Sequence, residues 1–236
     1  MGNSIQQRCE RWQLEELLRA YPGLRLVPVV DSNVRLAGTL AFAAQAPGHE
    51  RIEDAYTLEM SIPERFPFDL PLVRETGGRI PRTFHALADG SLCLGSPTRQ
   101  RLELIDAPTL PAFMERCVIP YLYGFSLQEK HGTLPFGELA HGRAGLRKDF
   151  AELFGAGTEA AAEEFVRLAS LKKRAANKYP CPCGSNRRLG RCHHHQVNRF
   201  RNLLGRLWFR EQYVWLTHYK QELRKAVPKR EYQIRR

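Results

Sequence analysis

Apolar residues over positions 5–21 recur at spacings of three and four, which predicts one amphipathic helix that ends at Pro22 and Gly23. The spacing then changes to two over positions 34–42 and 55–63, where one face collects the large apolar side chains. This alternation is typical of strands that bury a single face. The first part of the chain is therefore predicted to be a helix followed by a sheet.

Two shorter strands complete the predicted sheet. Positions 24–30 predict an edge strand, because Pro28 removes one backbone hydrogen-bond donor from the ladder. Positions 72–75 predict a fourth strand after a proline-rich stretch. Short polar or Gly/Pro turns separate these strands, so we expect an antiparallel meander.

A loop and further helices follow the predicted sheet. Positions 77–101 have no long period and predict an ordered loop. Positions 109–125 return to helical spacing, and Pro120 is expected to bend or end that helix. The order of helix, strands, loop and helices predicts the α+β class.

The remaining third of the chain is predicted to be helical around a cysteine-rich stretch. Positions 158–178 predict a strong helix, with Thr158 as its cap, glutamates early and basic residues late, as the helix dipole favours. A last helix is predicted from about position 197 to 225, with aromatic residues among arginines.

Charge divides the chain unevenly. Positions 1–150 carry 17 Lys and Arg against 18 Asp and Glu, whereas positions 151–236 carry 19 against 7. The net charge of +11 therefore belongs to the C-terminal third, which predicts a boundary near position 150. The predicted organisation is a first domain at 1–150, a connecting helix at 151–178, a zinc module at 179–196 and a basic amphipathic helix and tail at 197–236.

The six cysteines bear on the cellular compartment. Three of them lie within twelve positions, which suits a metal site better than disulfide bonds. The first residues lack the apolar stretch of a signal peptide, and no run approaches eighteen apolar residues. We therefore expect a cytoplasmic protein with reduced thiols and no membrane partner.

The stretch "CPCGSNRRLGRCHHH" predicts a metal site. A closed tetrahedral zinc site needs four thiolate or imidazole ligands. The predicted ligands are Cys181, Cys183, Cys192 and His193, with His194 and His195 as alternatives for the fourth. A complete ligand set leaves no open position, so the zinc is expected to be structural. The pattern resembles the SEC-C motif, a small zinc-binding element at the end of the bacterial protein-translocation motor and in many other bacterial proteins.

Cys93 is a candidate nucleophile. It follows the turn residues Asp89 and Gly90 in the predicted loop, and small or polar residues come after it. The alternative is an inert core cysteine, since leucines flank it on both sides. The other two cysteines, Cys9 and Cys117, lie on apolar faces of predicted helices and are expected to be core residues.

The first 150 residues resemble the ubiquitin-conjugating enzyme fold. The stretch "RFPFDLPLV" matches the proline-rich turn of that family, with Phe66 in place of its tyrosine. His85 matches the family's histidine, and "GSLCL" matches the context of its active cysteine, which is Cys93 here. The resemblance is closest to bacterial members, several of which are associated with anti-phage defence operons such as cyclic-oligonucleotide signalling systems.

The resemblance implies a transferase that carries an acyl group on Cys93 as a thioester. A thiolate accepts an activated C-terminus and passes it to an amine or another thiol. His85 is the first candidate for activating the thiol, with His131 and His141 as alternatives. One departure bears on this mechanism, because Ala86 and Leu87 stand where the family has a proline and the asparagine that supports the oxyanion.

The implied partners are a protein with a ubiquitin-like or extended glycine-type C-terminus, such as a signalling nucleotidyltransferase or a ubiquitin-like protein, and an activating enzyme. The zinc module would recruit a partner or substrate. The rival hypothesis is a non-catalytic adaptor with an inert Cys93. The basic tail at 197–236 could pack as an amphipathic helix, dock on an acidic protein or bind nucleic acid, and the last would give binding a steep salt dependence.

Overall fold

The computed structural model describes residues 4–28, 33–132 and 142–226, with side chains to residue 217. The chain forms two compact units, Met1–Leu139 and Ala140–Arg236. The division falls earlier than position 150, because the helix Gly142–Phe154 packs on the helix Glu159–Ser170 within the second unit.

The first unit contains a four-stranded antiparallel sheet and helices on both sides of it in sequence. Its elements are α1 (Ile5–Arg11), α2 (Leu14–Ala20), β1 (Leu24–Val27), β2 (Val34–Gln45), β3 (Arg51–Ile62), β4 (Leu72–Glu75), α3 (Pro97–Glu103), α4 (Leu110–Phe113), a π-helical segment (Met114–Val118) and α5 (Ile119–His131). The α+β class and the antiparallel meander are thus confirmed.

The sheet has the order β1-β2-β3-β4, and each strand pairs with the next one along the chain. The alternation predicted for β2 and β3 is confirmed, because every second residue points into the core. The edge strand β1 stops just before Pro28, as the missing amide donor requires. Gly38 has a φ of 137° in its pairing with β1, and a Cβ there would lie 2.1 Å from the Gly23 carbonyl oxygen, so only glycine fits.

The prediction of one continuous helix at 5–21 is wrong. The chain breaks at Gln13, whose backbone is left-handed with a φ of 55°, and α2 starts in a new direction. Trp12, which precedes the break, is fully buried, and its indole nitrogen donates to the Phe66 carbonyl oxygen at 3.1 Å. This tertiary contact places Trp12 in the core, which local periodicity does not reveal.

The proline-rich stretch contributes to the same core. The ring of Phe66 lies edge-on to Trp12 at 5.9 Å and to Phe113 at 6.2 Å between centroids. Pro120 does not end the helix that the sequence predicts over positions 109–125. It lies in the first turn of α5, after the π-helical segment has already changed the backbone pairing, and the helix continues to His131.

The second unit is helical. Its elements are α6 (Gly142–Phe154), α7 (Glu159–Ser170), α8 (Lys173–Ala176), a 3₁₀ turn (Leu189–Arg191), α9 (His194–Leu204) and α10 (Arg206–Ala226). Aromatic rings form the centre of this unit: Phe154 stacks on Phe165 at 5.2 Å and contacts Phe209 at 6.1 Å between centroids. Thr158 caps α7 through a hydrogen bond from the Ala161 amide, as predicted.

Two helical predictions in this unit need correction. The helix predicted over 158–178 ends at Ser170, where Leu171 and Lys172 take extended backbone angles before α8. The helix predicted from 197 to 225 is two helices, α9 and α10, which Gly205 separates with a φ of 86°. Within residues 4–28, 33–132 and 142–226, none of the helices combines the length and apolar character that a membrane span requires.

Candidate functional site

The cysteine-rich stretch folds into a small hairpin that precedes α9. Pro180 pairs with Arg188, and the Cys181 amide donates to the Arg187 carbonyl oxygen at 2.8 Å. Gly184 turns the chain with a φ of 76°, a backbone conformation in which side chains are strained. This hairpin brings the first two cysteines back toward the end of the 3₁₀ turn.

A close backbone contact joins the 3₁₀ turn to the segment that follows α8. The Gly190 amide donates to the Asn177 carbonyl oxygen at 3.1 Å, and a Cβ on Gly190 would lie 3.0 Å from the Cβ of Asn177. Leu189 beside it is fully buried. Gly184 therefore allows the turn of the hairpin, and Gly190 allows the close contact with Asn177.

The four predicted ligands converge on one point. The three Sγ atoms of Cys181, Cys183 and Cys192 and the Nδ1 atom of His193 all lie within 4.8 Å of one another. Zinc bonds of about 2.3 Å to sulfur and 2.0–2.1 Å to nitrogen give tetrahedral edges of about 3.5–3.8 Å. The Cys183–Cys192 edge is 3.6 Å, and Nδ1 of His193 lies 3.2 Å from both Cys181 and Cys192. The cluster could thus hold a metal ion with this chemistry.

The structure assigns the fourth position of the cluster to His193 rather than to its neighbours. The His193 ring packs edge-on against Phe165 of α7 at 5.5 Å between centroids, which fixes its orientation. His194 begins α9, and its ring lies 3.9 Å from that of His195. Helical geometry carries these two side chains away from the direction of His193.

Neighbouring polar groups act on the thiols. Burial raises the pKa of the Cys181 thiol to about 11, so a metal ion must displace a firmly held proton there. A hydrogen bond from Ser185 lowers the pKa of the exposed Cys183 thiol to about 6. Arg187 also donates toward the Cys192 sulfur at 3.5 Å.

Cys93 lies at the end of a second small hairpin, in the first unit. Ala86 pairs with Leu92, and the predicted turn at Asp89 and Gly90 joins them. The Asp89 carboxylate accepts hydrogen bonds from both the amide and the hydroxyl of Ser91, at 3.0 and 2.6 Å. The turn chemistry that the sequence indicates is therefore present in the structure.

Hydrogen bonds on both sides fix the backbone at Cys93. The Leu92 amide donates to the Val73 carbonyl oxygen of β4 at 2.7 Å, and the Cys93 amide donates to the His85 carbonyl oxygen at 2.7 Å. Ser96 then caps α3 through the Arg99 amide at 3.2 Å. The Cys93 side chain is half-buried, between the buried Leu92 and a helix start.

The three candidate histidines have different positions. His85 takes a φ of 39°, and its carbonyl oxygen accepts the Cys93 amide, so backbone contact joins the two residues. His131 lies at the end of α5, where its Nε2 atom pairs with the Glu50 carboxylate at 2.5 Å. His141 lies outside the described residues.

Tyr121 is a site residue that the sequence analysis did not single out. Its hydroxyl donates to the carbonyl oxygens of Phe84 and His85, at 3.0 and 3.4 Å. Burial raises the pKa of this phenol, and the nearby Cys93 thiolate would raise it further. Only its helical spacing with Phe113 and Cys117 was visible in the sequence.

A charged cluster holds the start of the loop that carries Cys93. The Arg79 guanidinium donates to both oxygens of Asp54 at 2.7 and 2.8 Å, pairs with Glu129 and lies 4.5 Å above the Tyr56 ring. Burial tends to raise the pKa of Asp54, but hydrogen bonds from Arg79 and Ser126 outweigh it and lower the pKa to about 2. The loop is thereby tied to β3 and α5.

A shallow cavity of about 330 Å³ lies beside the hairpin that carries Cys93. Its lining includes Arg74, Glu75, Arg82, Ala86, Asp89 and Leu92. Arg74 and Asp89 form an ion pair at 3.3 Å along its wall. The cavity therefore offers charged groups one residue away from Cys93.

Comparisons with protein-family models, with curated proteins and with solved structures found no match for this chain. The function is therefore inferred from the geometry and chemistry of the residues described above.

Proposed function

We propose that this protein is a cysteine-dependent acyl transferase with a ubiquitin-conjugating-like fold. The observation that carries the proposal is the setting of Cys93, which is half-buried on a backbone held by hydrogen bonds to β4 and His85. The contrast with Cys117 supports it, because Cys117 is buried in the core and burial raises the pKa of its thiol to about 12. A reactive cysteine needs access as well as a fixed position.

The proposed reaction has two steps. The Cys93 thiol gives its proton to a base, and the sulfur attacks the carbonyl carbon of a partner's activated C-terminus, an acyl adenylate or a thioester. A thioester forms on Cys93, and the adenylate or thiol leaves. A lysine amine or another thiol then attacks the thioester, loses its proton, and releases the Cys93 thiolate.

The loop residues have distinct roles in this scheme. His85 is the candidate base, and its carbonyl oxygen positions the Cys93 amide. Tyr121 is a positioning residue, because its hydroxyl donates to the carbonyl oxygens of Phe84 and His85. Leu87, at the position of the family's asparagine, offers no amide side chain for the oxyanion, and loss of one such donor costs about 3 kcal/mol of transition-state stabilisation. We therefore expect transfer to an amine to be slow.

We infer that the donor is a protein with a ubiquitin-like or extended glycine-type C-terminus, loaded by an activating enzyme. A small, flexible tail suits a half-buried thiol on a short hairpin, because it needs little space around the scissile carbonyl. The resemblance to bacterial defence proteins makes anti-phage signalling in the cytoplasm the proposed setting.

The second unit is proposed to hold structural Zn²⁺ as a SEC-C-like module. Three thiols and one imidazole whose ligand atoms lie within 4.8 Å of one another support zinc over harder cations, which prefer oxygen ligands. When bound, zinc would fix the hairpin against α9. The module would then present a rigid surface to a partner.

Intact-mass analysis of wild type and Cys93→Ser, each expressed with its operon partners, tests the transferase. We expect a partner-linked species that thiols cleave in wild type and that becomes a stable ester in Cys93→Ser. Cys9→Ser is the matched control, since Cys9 lies in α1 and, like Cys93, is partly exposed. Full biological activity of Cys93→Ser, without any linked partner, would contradict the proposal.

A second candidate function is a non-catalytic adaptor. The pairing of Ala86 with Leu92 favours it, because that bridge occupies the segment in which the family places its asparagine. In this case the zinc module would bind the partner, and Cys93→Ser would keep full biological activity.

A further inference from the structure

We propose that the zinc-binding module of the second unit binds single-stranded nucleic acid through a dense set of exposed cations. This surface, here called the basic module surface, consists of Lys172, Lys173, Arg174, Lys178, Arg187, Arg188 and Arg191, all exposed. It differs from the basic tail at 197–236, on which the sequence analysis placed any contact with nucleic acid.

The cations of this surface share one folded body. Lys173 and Arg174 belong to α8, and the residue after that helix, Asn177, contacts Gly190. Arg188 pairs with Pro180 across the hairpin, and Arg191 ends the 3₁₀ turn. The hairpin, α8 and the 3₁₀ turn therefore present their charges from one small module.

Carboxylates are missing from this part of the chain. Positions 165–210 contain twelve Lys and Arg and no Asp or Glu. The nearest acidic residues before this stretch are already paired: Glu163 with Arg147 at 2.6 Å and Glu164 with Arg167 at 2.6 Å. A surface without compensating charge attracts a polyanion and releases counterions when it binds one.

Several basic residues nearby are committed to the fold instead. Arg201 is buried, and its guanidinium donates to the carbonyl oxygens of Leu168 and Ala169 at 2.9 and 3.0 Å. Arg206 donates to the Ser170 carbonyl oxygen at 3.2 Å. The cations of α9 and α10 that cap α7 are therefore less suited to a ligand than those of the module.

The surface fits a nucleic acid better than an acidic protein. Protein interfaces are built around a buried apolar centre. Among the described residues 172–202, Tyr179 is the one exposed large apolar side chain, with 42 % of its surface accessible. Arg167 lies 4.6 Å from this ring. An exposed aromatic ring among cations suits base stacking and phosphate contact by a single strand.

Fluorescence anisotropy with a labelled single-stranded oligonucleotide of about 16 nucleotides tests the proposal on the full zinc-loaded chain. Each cation that contacts a phosphate adds about −0.7 to the slope of log K against log salt. The variant Arg174→Ser, Arg188→Ser, Arg191→Ser is therefore expected to lose about 2 from that slope and to bind about 50-fold more weakly at about 0.15 M salt.

The matched control removes the same charge from the first unit. Arg11, Arg19 and Arg25 are exposed there, and Arg11→Ser, Arg19→Ser, Arg25→Ser is expected to keep the wild-type affinity and slope. Tyr179→Leu is expected to weaken binding about fivefold or more with the slope unchanged. Zinc content verifies the fold of each variant. If the module variant loses zinc, Lys173→Ser, Arg174→Ser on α8 replaces it, with an expected slope change of about 1.4.

Three results would overturn the proposal. Absence of binding at low salt would exclude a nucleic-acid site. Equal losses in the module and control variants would show that net charge alone attracts the oligonucleotide. Competition by polyglutamate at the same charge concentration as the oligonucleotide would instead identify an acidic protein as the partner.

Discussion

The two cysteine hairpins of this protein place the same residue type in two different tertiary surroundings. In the first unit a single thiol, Cys93, follows a hairpin whose backbone is held by β4 and His85. In the second unit a hairpin of similar size turns three thiols and an imidazole toward a common point. The first arrangement carries a single thiol, whereas the second places four donor atoms where they could hold a metal ion.

The largest expected effect is the loss of zinc and of folded structure in the second hairpin, whereas the first hairpin does not depend on metal. Cys192→Ala removes one of four ligands, and structural zinc contributes about 10–16 kcal/mol of apparent binding free energy in small modules. We expect zinc content to fall from one ion per chain to none and the module to unfold, while the sheet of the first unit persists. Metal analysis and hydrogen exchange of each unit measure this, with Cys93→Ala as control. Protection of residues 179–193 without zinc would contradict a metal-dependent module.

The next effect compares Cys93 with the other cysteines of its own unit. Burial raises the pKa of Cys117 to about 12, so its thiolate fraction at neutral pH is about 10⁻⁵. We expect iodoacetamide to modify Cys93 roughly a thousandfold faster than Cys117 in the zinc-loaded protein. Peptide mapping over time measures both rates. Equal rates would show that Cys93 is as inaccessible as a core thiol.

A smaller effect concerns the charged cluster that ties the loop of Cys93 to β3. Because the pKa of Asp54 falls from 3.8 to about 2 on folding, its ionised form contributes about 2 kcal/mol to the free energy of unfolding at neutral pH. This contribution is complete above about pH 5 and is lost as the pH falls through 3.8 toward 2.

The variant Asp54→Asn is expected to lack this pH dependence. Urea titrations that follow Trp12 fluorescence, in a Trp208→Phe, Trp215→Phe background, measure unfolding of the first unit alone. Glu53→Gln is the control, since Glu53 is exposed and pairs with its near neighbour Arg51. A curve for Asp54→Asn that parallels the wild type between pH 2 and 5 would contradict the assigned role.

The smallest effect concerns Tyr121. Tyr121→Phe removes a half-buried hydroxyl that donates to two loop carbonyl oxygens, at a cost of about 1 kcal/mol in stability. If it positions Cys93, the variant lowers the alkylation rate of Cys93 and shifts the pH profile of that reaction. A loss of stability with an unchanged profile would reduce Tyr121 to a structural role.

The sequence determined the features that depend on local spacing. The period of two in β2 and β3 fixes which residues face the core, since successive strand residues point to opposite sides. The ligands Cys181, Cys183, Cys192 and His193 were identifiable because two cysteines at close spacing and a Cys-His pair already match the donors that zinc prefers. The Thr158 cap and the Asp89 turn are equally local.

Only the tertiary structure decided the features that depend on distant partners. The break at Gln13 follows from the burial of Trp12 against the Phe66 carbonyl oxygen, fifty-four positions away. Tyr121 lies in α5, and its hydroxyl donates to the loop that carries Cys93. Arg79 joins β3 to α5. No local sequence pattern reveals either contact. Periodicity reports which face of an element is apolar, but the contacts around Cys93 come from elements that meet only in the folded chain.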